Sequence, residues 1–563
     1  MRFRELAADV VIVGAGIAGL RAALAASGRG ASVLLVSKGA SASPAVIGFN
    51  APVACGDSAE LFFRDTCVGG GGLNDRELAR LLTGQAVEVL REFEALGFSF
   101  DREGAAYDLL QPLGCSCPRL VHQSNHTGSA SMALMREELS RRQVKEYAGV
   151  TALDLLLARQ RVCGLLAAAP LEDELWVISA GAVVLANGGG SGIYADSTYP
   201  DGIVGDGYGM AYRAGASLLD MEFVQFEPCR CLWPRKLGIS TTLLAKGGEL
   251  RNRLDERFIL KRYPGGEGTV SKDMLARLIA LEIKAGNGSE HGGVYLDLRM
   301  LPEKVLKRDH SMYYERFLRA GIDLTTERIE VAPAAHTFMG GVKIDAGCAC
   351  GVPGLFAAGE VTGGIHGANR LGGNAGTEIY VFGKIAGASA AEYVQRNGQA
   401  PIPDQERRMI AERFGHLRDG DASAVIQNAK ALIRNTMGTY AGAVRSADGL
   451  AQAGRIIQEL ATEFKNYQAV SVRELTQLSE LQNMILTAEL VVAAAERRRE
   501  SRGVHYREDF PTRDDRHWCK SIIITPGAAG HEMTAVARDG ENSVEGSRAA
   551  TTCQGEVDYD LSR

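Results

Sequence analysis

The sequence predicts an α/β fold organised around a Rossmann-like, dinucleotide-binding unit, and three observations point there. The chain opens on "ADVVIVGAGIAGLRAALAA", an apolar run broken by spaced glycines. Glycine-rich strand endings return far downstream, at 183–192 ("VVLANGGGSG"), 205–216 ("GDGYGMAYRAGA") and 354–378 ("GLFAAGEVTGGIHGANRLGGNAGTE"). Glycine is in excess, with 67 residues in 563, against a typical share of about 7%. A nucleotide site assembled from distant segments, with backbone wrapped closely around a large ligand, accounts for all three.

The elements follow in chain order. Residues 9–13 form an apolar strand, and Gly14, Ala15, Gly16 and Gly19 then open an expected amphipathic helix. Glycines there permit a tight turn, close approach of a pyrophosphate and tight helix–strand packing, while the helix amides supply positive potential. A second strand, "ASVLLVSK", ends in Ser37 and Lys38, where an acidic ribose ligand is more usual. Gly188 belongs to the first glycine-rich return, and Glu360 closes the apolar strand "GLFAAGE", where a carboxylate can accept from a ribose hydroxyl. In "HGANRLGGNAGTE", residues 366–378, Arg370 is the one cation in a run of small residues. Bare backbone suits a flat ligand, and a guanidinium fork matches a carboxylate, so the stretch reads as a ligand floor with an anion clamp.

Composition narrows the class. A chain of 563 residues exceeds what one hydrophobic core supports, so several domains are expected. The formal net charge of −6 and scattered basic residues leave no footprint for nucleic acid. Without an uninterrupted apolar run of about 18 residues or a leader with a cleavage site, no direct membrane span and a cytoplasmic location are expected. Eleven cysteines are read as thiols. Three pairs stand two apart, Cys115 with Cys117, Cys229 with Cys231, and Cys348 with Cys350, but none forms the C-x-x-C run common in clusters and structural zinc, so no metal site is assigned.

Taken together, GAGIAGL, VVLANGG, GDGYGMAYRAGA, VYLDLR, AAHTFMGGV, GLFAAGE, HGANRLGGN and the late ESRGVHYREDFPTRDD resemble the flavoprotein subunit of the succinate dehydrogenase, fumarate reductase and L-aspartate oxidase family, nearly end to end and in order. The resemblance implies a discontinuous Rossmann-like FAD-binding domain at 1–225 and 331–402, with an inserted α+β capping domain at 226–330. A helical domain at 403–503 and a short C-terminal segment at 504–563 follow. "AELVVAAAERRRESRG" has helical apolar spacing, with Gly503 as its expected stop. By the same resemblance Asp206 and Glu360 bind FAD, and Asn374, Ala375 and Gly376 lie against the flavin. In several members a histidine after the second strand bonds covalently to the flavin; Pro44 stands there in "SASPAVIGFNAPVA", so non-covalent FAD is expected.

The resemblance also places the substrate. Arg370 and His336 match the pair that holds one substrate carboxylate. At the opposite end the family's histidine becomes Glu227 in "FVQFEPCRC", a threonine–glutamate pair aligns with Ser240 and Thr241, and the proton-donating arginine becomes Lys272. Two carboxylates at about 4 Å repel by several kcal/mol at an effective dielectric near 20. A carboxylate-bearing substrate other than fumarate is therefore expected. Glu227 is left three roles: neutralising Lys272, accepting from a substrate hydroxyl or amine, or acting as acid or base. The implied reaction is hydride transfer between flavin N5 and a substrate carbon. Two alternatives stand beside it: an electron-transfer subunit with a vestigial pocket, and a reductase of a sulfur-containing substrate. The C-terminal "ESRGVHYREDFPTRDDRHW" resembles members that pair with an iron–sulfur subunit, which is the expected protein partner.

Overall fold

The computed structural model describes residues 2–538 except 113, 125, 416, 418–423 and 529. The rest of the C-terminal segment read from the sequence, 539–563, lies outside the described residues.

The central sheet has seven strands, and its spine is the parallel pairing of Arg2–Val13 with Glu174–Leu185, Val10 facing Ala182 and Val13 facing Leu185. Val33–Ser37 pairs parallel on the other edge of Arg2–Val13, and Lys145–Ala148 follows it. Glu174–Leu185 serves two partners on its far side: its first half pairs antiparallel with Arg161–Ala169, and its last three residues pair parallel with Leu355–Ala357. That late strand returns the chain from the middle of the sequence to the cofactor edge. The first helix, Ile17–Ser27, differs from expectation. It is buried on nearly every side, Arg21 included, because Asn374–Asn397 packs across it and the sheet lies beneath. An amphipathic stripe is unnecessary for a helix held between two layers.

The second sheet runs Leu237–Gly238, Val224–Trp233, Ile329–Phe338, Val294–Asp297, Glu249–Arg251. Helix Lys272–Glu282 lies on Val224–Trp233. These elements share a hydrophobic cluster of their own, from Cys229 and Leu243 to Phe317 and Val331. The two long strands connect this layer to the nucleotide-binding part, and Val224 faces Phe338 while Glu227 faces Ala334. They are therefore the natural place for side chains that must reach between a cap and a cofactor.

Four longer helices follow: Asp404–Phe414, Ala424–Tyr440, Ala447–Phe464 and Val472–Arg497. By length and composition Val472–Arg497 could cross a membrane, yet 67% of its apolar window is buried against neighbouring elements, so it is a packed helix here. It ends at Arg497, six residues before Gly503, and the expected stop is corrected accordingly. Arg498 leaves the helix to enter a fully buried ion network, with Nε 2.5 Å from Glu222 and Nη1 3.0 Å from Glu500. Arg502 closes the other side of Glu500, and Arg445 Nη1 donates to the Glu222 carbonyl at 2.7 Å. A final hairpin, Lys520–Gly527 with Gly530–Ala537, adds to a third sheet through Leu218–Leu219.

This network ties the strand that enters the cap to the helical region. Removing one partner of a buried ion set strands the others, at a cost of about 3–5 kcal/mol. Arg498→Met is expected to lower unfolding stability by that amount in a denaturant titration of the holoprotein; a loss under about 1 kcal/mol would show that Glu222 and Glu500 find other partners.

Candidate active site

The nucleotide cradle is built from three helix starts. Ile17–Ser27, Asp206–Arg213 and Asn374–Asn397 begin after Gly16, Gly205 and Gly373, and none of the three carries a side-chain cap. The Ile17 amide donates to the Ser43 hydroxyl at 3.0 Å and the Asn374 amide to the Leu371 carbonyl at 3.2 Å, while the positive end of each helix dipole still faces the cradle. The first turn leaves no room for side chains. Gly14 has φ +110°, and a Cβ there would lie 2.3 Å from the Ala186 carbonyl oxygen; one on Gly19 would lie 1.8 Å from the Gly14 oxygen. Ala15 is buried beside them, and Gly188 holds φ +78° at the end of the neighbouring strand. At the third helix, a Cβ on Gly376 would lie 2.3 Å from the Gly48 oxygen, and Ala375 precedes it in the same first turn.

Among the charged groups of the cradle, Lys38 and Asp206, both expected as cofactor ligands, meet each other, Nζ to Oδ2 at 2.5 Å. Helix Val472–Arg497 completes the set: Glu480 accepts from Lys38 at 2.9 Å and from Lys430 at 2.7 Å, and Asn483 donates to Asp206 at 2.9 Å. Burial pulls the Lys38 ammonium down, and the two carboxylates outweigh it and hold its pKa above the usual value. Ser37 accepts from the Gly39 amide at 3.2 Å. The Asn374 side-chain amide accepts from Asn50 at 2.7 Å and donates to Thr66 at 3.1 Å, and its backbone N–H donates to the Leu371 carbonyl at 3.2 Å. Glu360 accepts from the Phe338 amide at 3.0 Å, and burial pushes its carboxyl up to about 7, so at neutral pH it can both accept and donate to ligand hydroxyls.

Beside this cradle Arg370, His336, Glu227, Lys272, Tyr199 and Glu360 come within electrostatic reach of one another, and each is neither fully buried nor exposed. Arg370 donates from Nη2 to Gln225 at 2.8 Å and from Nη1 to the Leu371 carbonyl at 3.2 Å, while its Nε is buried with no partner among the described residues. His336 Nδ1 is 2.7 Å from the Thr198 hydroxyl. Burial and the Arg370 charge lower the imidazole to about 3, so it is neutral at physiological pH. In the tautomer that accepts from Thr198 at Nδ1, Nε2 carries the proton and can donate to a carboxylate oxygen. Arg370 and His336, 34 positions apart in the chain, are thus brought within electrostatic reach of each other.

Glu227 and Lys272 form the other end, Oε2 to Nζ at 3.0 Å, and Thr241 donates to Glu227 Oε1 at 2.9 Å. Burial would raise Glu227, but the ammonium and the hydroxyl outweigh it and keep its pKa below the ordinary value. Of the three roles left open by the sequence, neutralising Lys272 is the one the geometry displays. Ser240, expected beside Thr241 at this end, hydrogen-bonds the Thr242 hydroxyl at 2.7 Å and interacts with Tyr313.

Thr198, Tyr199 and Gln225 join the site without having been expected there. Tyr199 stands edge-on to His336 with ring centroids 5.7 Å apart, and its hydroxyl is 3.2 Å from Thr337. Both Thr198 and Tyr199 come from an irregular loop without a motif. Gln225, two residues before Glu227 on a strand, was visible in principle through its period-two spacing. The cysteine pairs stay out of the site. Cys229 and Cys231 are sunk in the cap's core, burial pushes both thiols up, and among the described residues no cluster of three or more His, Cys, Asp or Glu could hold a metal.

Such a cradle, with bare glycines at three helix starts and Arg370 and His336 beside it, is that of a flavin-dependent oxidoreductase, as the comparisons show. The FAD binding domain model matches residues 9–375, and the fumarate reductase flavoprotein C-terminal model matches 430–543. One component of the fumarate reductase (CoM/CoB) of Methanothermobacter marburgensis is 37% identical, covering 92% of this chain and 96% of its own. L-aspartate oxidase of Pseudomonas aeruginosa is 33% identical, covering 89% and 95%. A mutated form of E. coli quinol fumarate reductase FrdA superposes with TM-score 0.88 at 30% identity, over 97% of this chain and 99% of its own. The chain belongs to the fumarate reductase, succinate dehydrogenase and L-aspartate oxidase family of FAD-dependent flavoproteins, and its cofactor is FAD.

Proposed function

We propose that the protein transfers a hydride between FAD and a carboxylate-bearing substrate other than fumarate, with Arg370 and His336 holding the carboxylate and Lys272 handling the proton. The bound flavin supplies a hydride donor and acceptor at N5. Everything else falls to the chain. Arg370 is partly buried and meets only neutral partners, Gln225 and the Leu371 carbonyl, with no carboxylate among the described residues, and that is the observation on which the reading rests: its charge is left for a ligand. His336, neutral and oriented by Thr198, adds a second donor without a second charge. Holding the carboxylate at one point fixes the adjacent carbon relative to the cradle. Lys272, 38% exposed by its side chain, borders both Glu227 and solvent, so it can pass a proton to the substrate and be recharged from water. In the reductive direction a hydride and a proton add across a carbon–carbon double bond and FAD is left oxidised. Electrons reach the flavin through an iron–sulfur partner protein, and FAD is held without a covalent bond, since Pro44 lies in the short turn Ser43–Ala45 where a linking histidine is absent.

Lys272→Met tests the proton role. A positioned general acid contributes about 10²–10⁴ in rate, so steady-state turnover is expected to fall by that factor while FAD content and dithionite reduction stay as in the wild type. A loss below about threefold would remove Lys272 from the reaction.

A further inference from the structure

We propose that the cleft takes a monocarboxylate whose far end is uncharged, an inference that rests on the reading above and names its substrate class. The argument is a charge count. Both Glu227 oxygens are engaged, one by Lys272 at 3.0 Å and the other by Thr241 at 2.9 Å, so the Lys272 charge is cancelled where it stands. The groups around that end are hydroxyls: Thr241, Ser240, and Tyr313, whose hydroxyl interacts with Ser240. Asp273, next to Lys272 on its helix, accepts from Asn369 at 3.3 Å and interacts with Arg277, so it leaves no surplus positive charge either. At the near end Gln225, the Leu371 carbonyl and Thr198 are all neutral partners. Arg316 also stands near Tyr313, but it is exposed; among the described residues around the site Arg370 is the one partly buried cation that pairs with no carboxylate, and it matches one carboxylate. A second carboxylate would have to approach Glu227, and like charges brought together across a partly desolvated contact are strongly disfavoured. Glu360, on the cofactor side, adds no positive charge to offset that.

The test uses purified holoprotein with oxidised FAD. Butyrate and succinate share a chain length and differ by one carboxylate, and their affinities can be read by titration calorimetry and by perturbation of the flavin absorbance. Butyrate is expected to bind at least about tenfold more tightly than succinate. Glu227→Gln, which frees the Lys272 charge, is expected to shift the succinate-to-butyrate affinity ratio at least about tenfold toward succinate. Reoxidation of the anaerobically reduced protein should follow the same order, crotonate ahead of fumarate. Tighter binding of succinate than of butyrate by the wild type would overturn the inference while leaving the carboxylate clamp intact, and this outcome does not depend on the variant folding. If neither acid binds and no unsaturated acid reoxidises the flavin, the clamp itself fails and the inference fails with it.

Discussion

Replacing Arg370 by alanine is expected to give a yellow, folded holoprotein whose reduced flavin reacts with unsaturated carboxylic acids about 10²–10⁴-fold more slowly than the wild type, the effect of losing a partly buried charge-assisted contact. Among the described residues the Arg370 guanidinium hydrogen-bonds Gln225 and the Leu371 carbonyl, so its removal leaves the cradle glycines and the buried ion network untouched. The loss should therefore lie in acid-dependent reoxidation and not in FAD content or in reduction by dithionite. Rapid mixing of the reduced variant with crotonate, followed at the flavin absorbance, makes the measurement. Unchanged reoxidation would move the carboxylate away from this guanidinium.

Gly14→Val is expected to abolish flavin binding. A Cβ at this position meets backbone atoms, 2.3 Å from Ala186 O and 2.8 Å from the Asn187 Cα, and the φ of +110° is closed to a β-branched residue. Relief requires the strand ends of Arg2–Val13 and Glu174–Leu185 to separate where the pyrophosphate is expected to lie. The ratio of flavin to protein absorbance after purification should fall to near zero, and added FAD should no longer raise the melting temperature. A variant that purifies with stoichiometric FAD would show that the first turn is not where the nucleotide is held.

Much of this is legible in the sequence because glycine motifs report backbone geometry directly. Gly14, Gly16 and Gly19 demand a turn and close packing, and those demands do not depend on distant residues. The anion-binding end is legible for a related reason: Arg370 stands in a stretch too bare to pair it locally. Pairings are not. Nothing near Lys38 announces Asp206, 168 positions on, or Glu480, 442 positions on, so two residues that look like separate ligands are parts of one ion cluster. Glu227 has three open roles until folding brings Lys272 from 45 positions away. Gly503 looks like a helix stop because local spacing cannot reveal that Arg498 is drawn into a buried network with Glu222, a contact spanning 276 positions. Tyr199 and Thr198 carry no signal, since an irregular loop has no period to betray which side chains face a cleft.

The most direct measurement of the carboxylate clamp compares an acid with its own amide. Reduced holoprotein is mixed anaerobically with crotonate or with crotonamide, which differ at the one group that Arg370 and His336 are held to grip, and flavin reoxidation is followed by stopped flow. The expected result is saturable reoxidation by the acid and a rate at least about 10²-fold lower with the amide. Equal rates with the two compounds would contradict it.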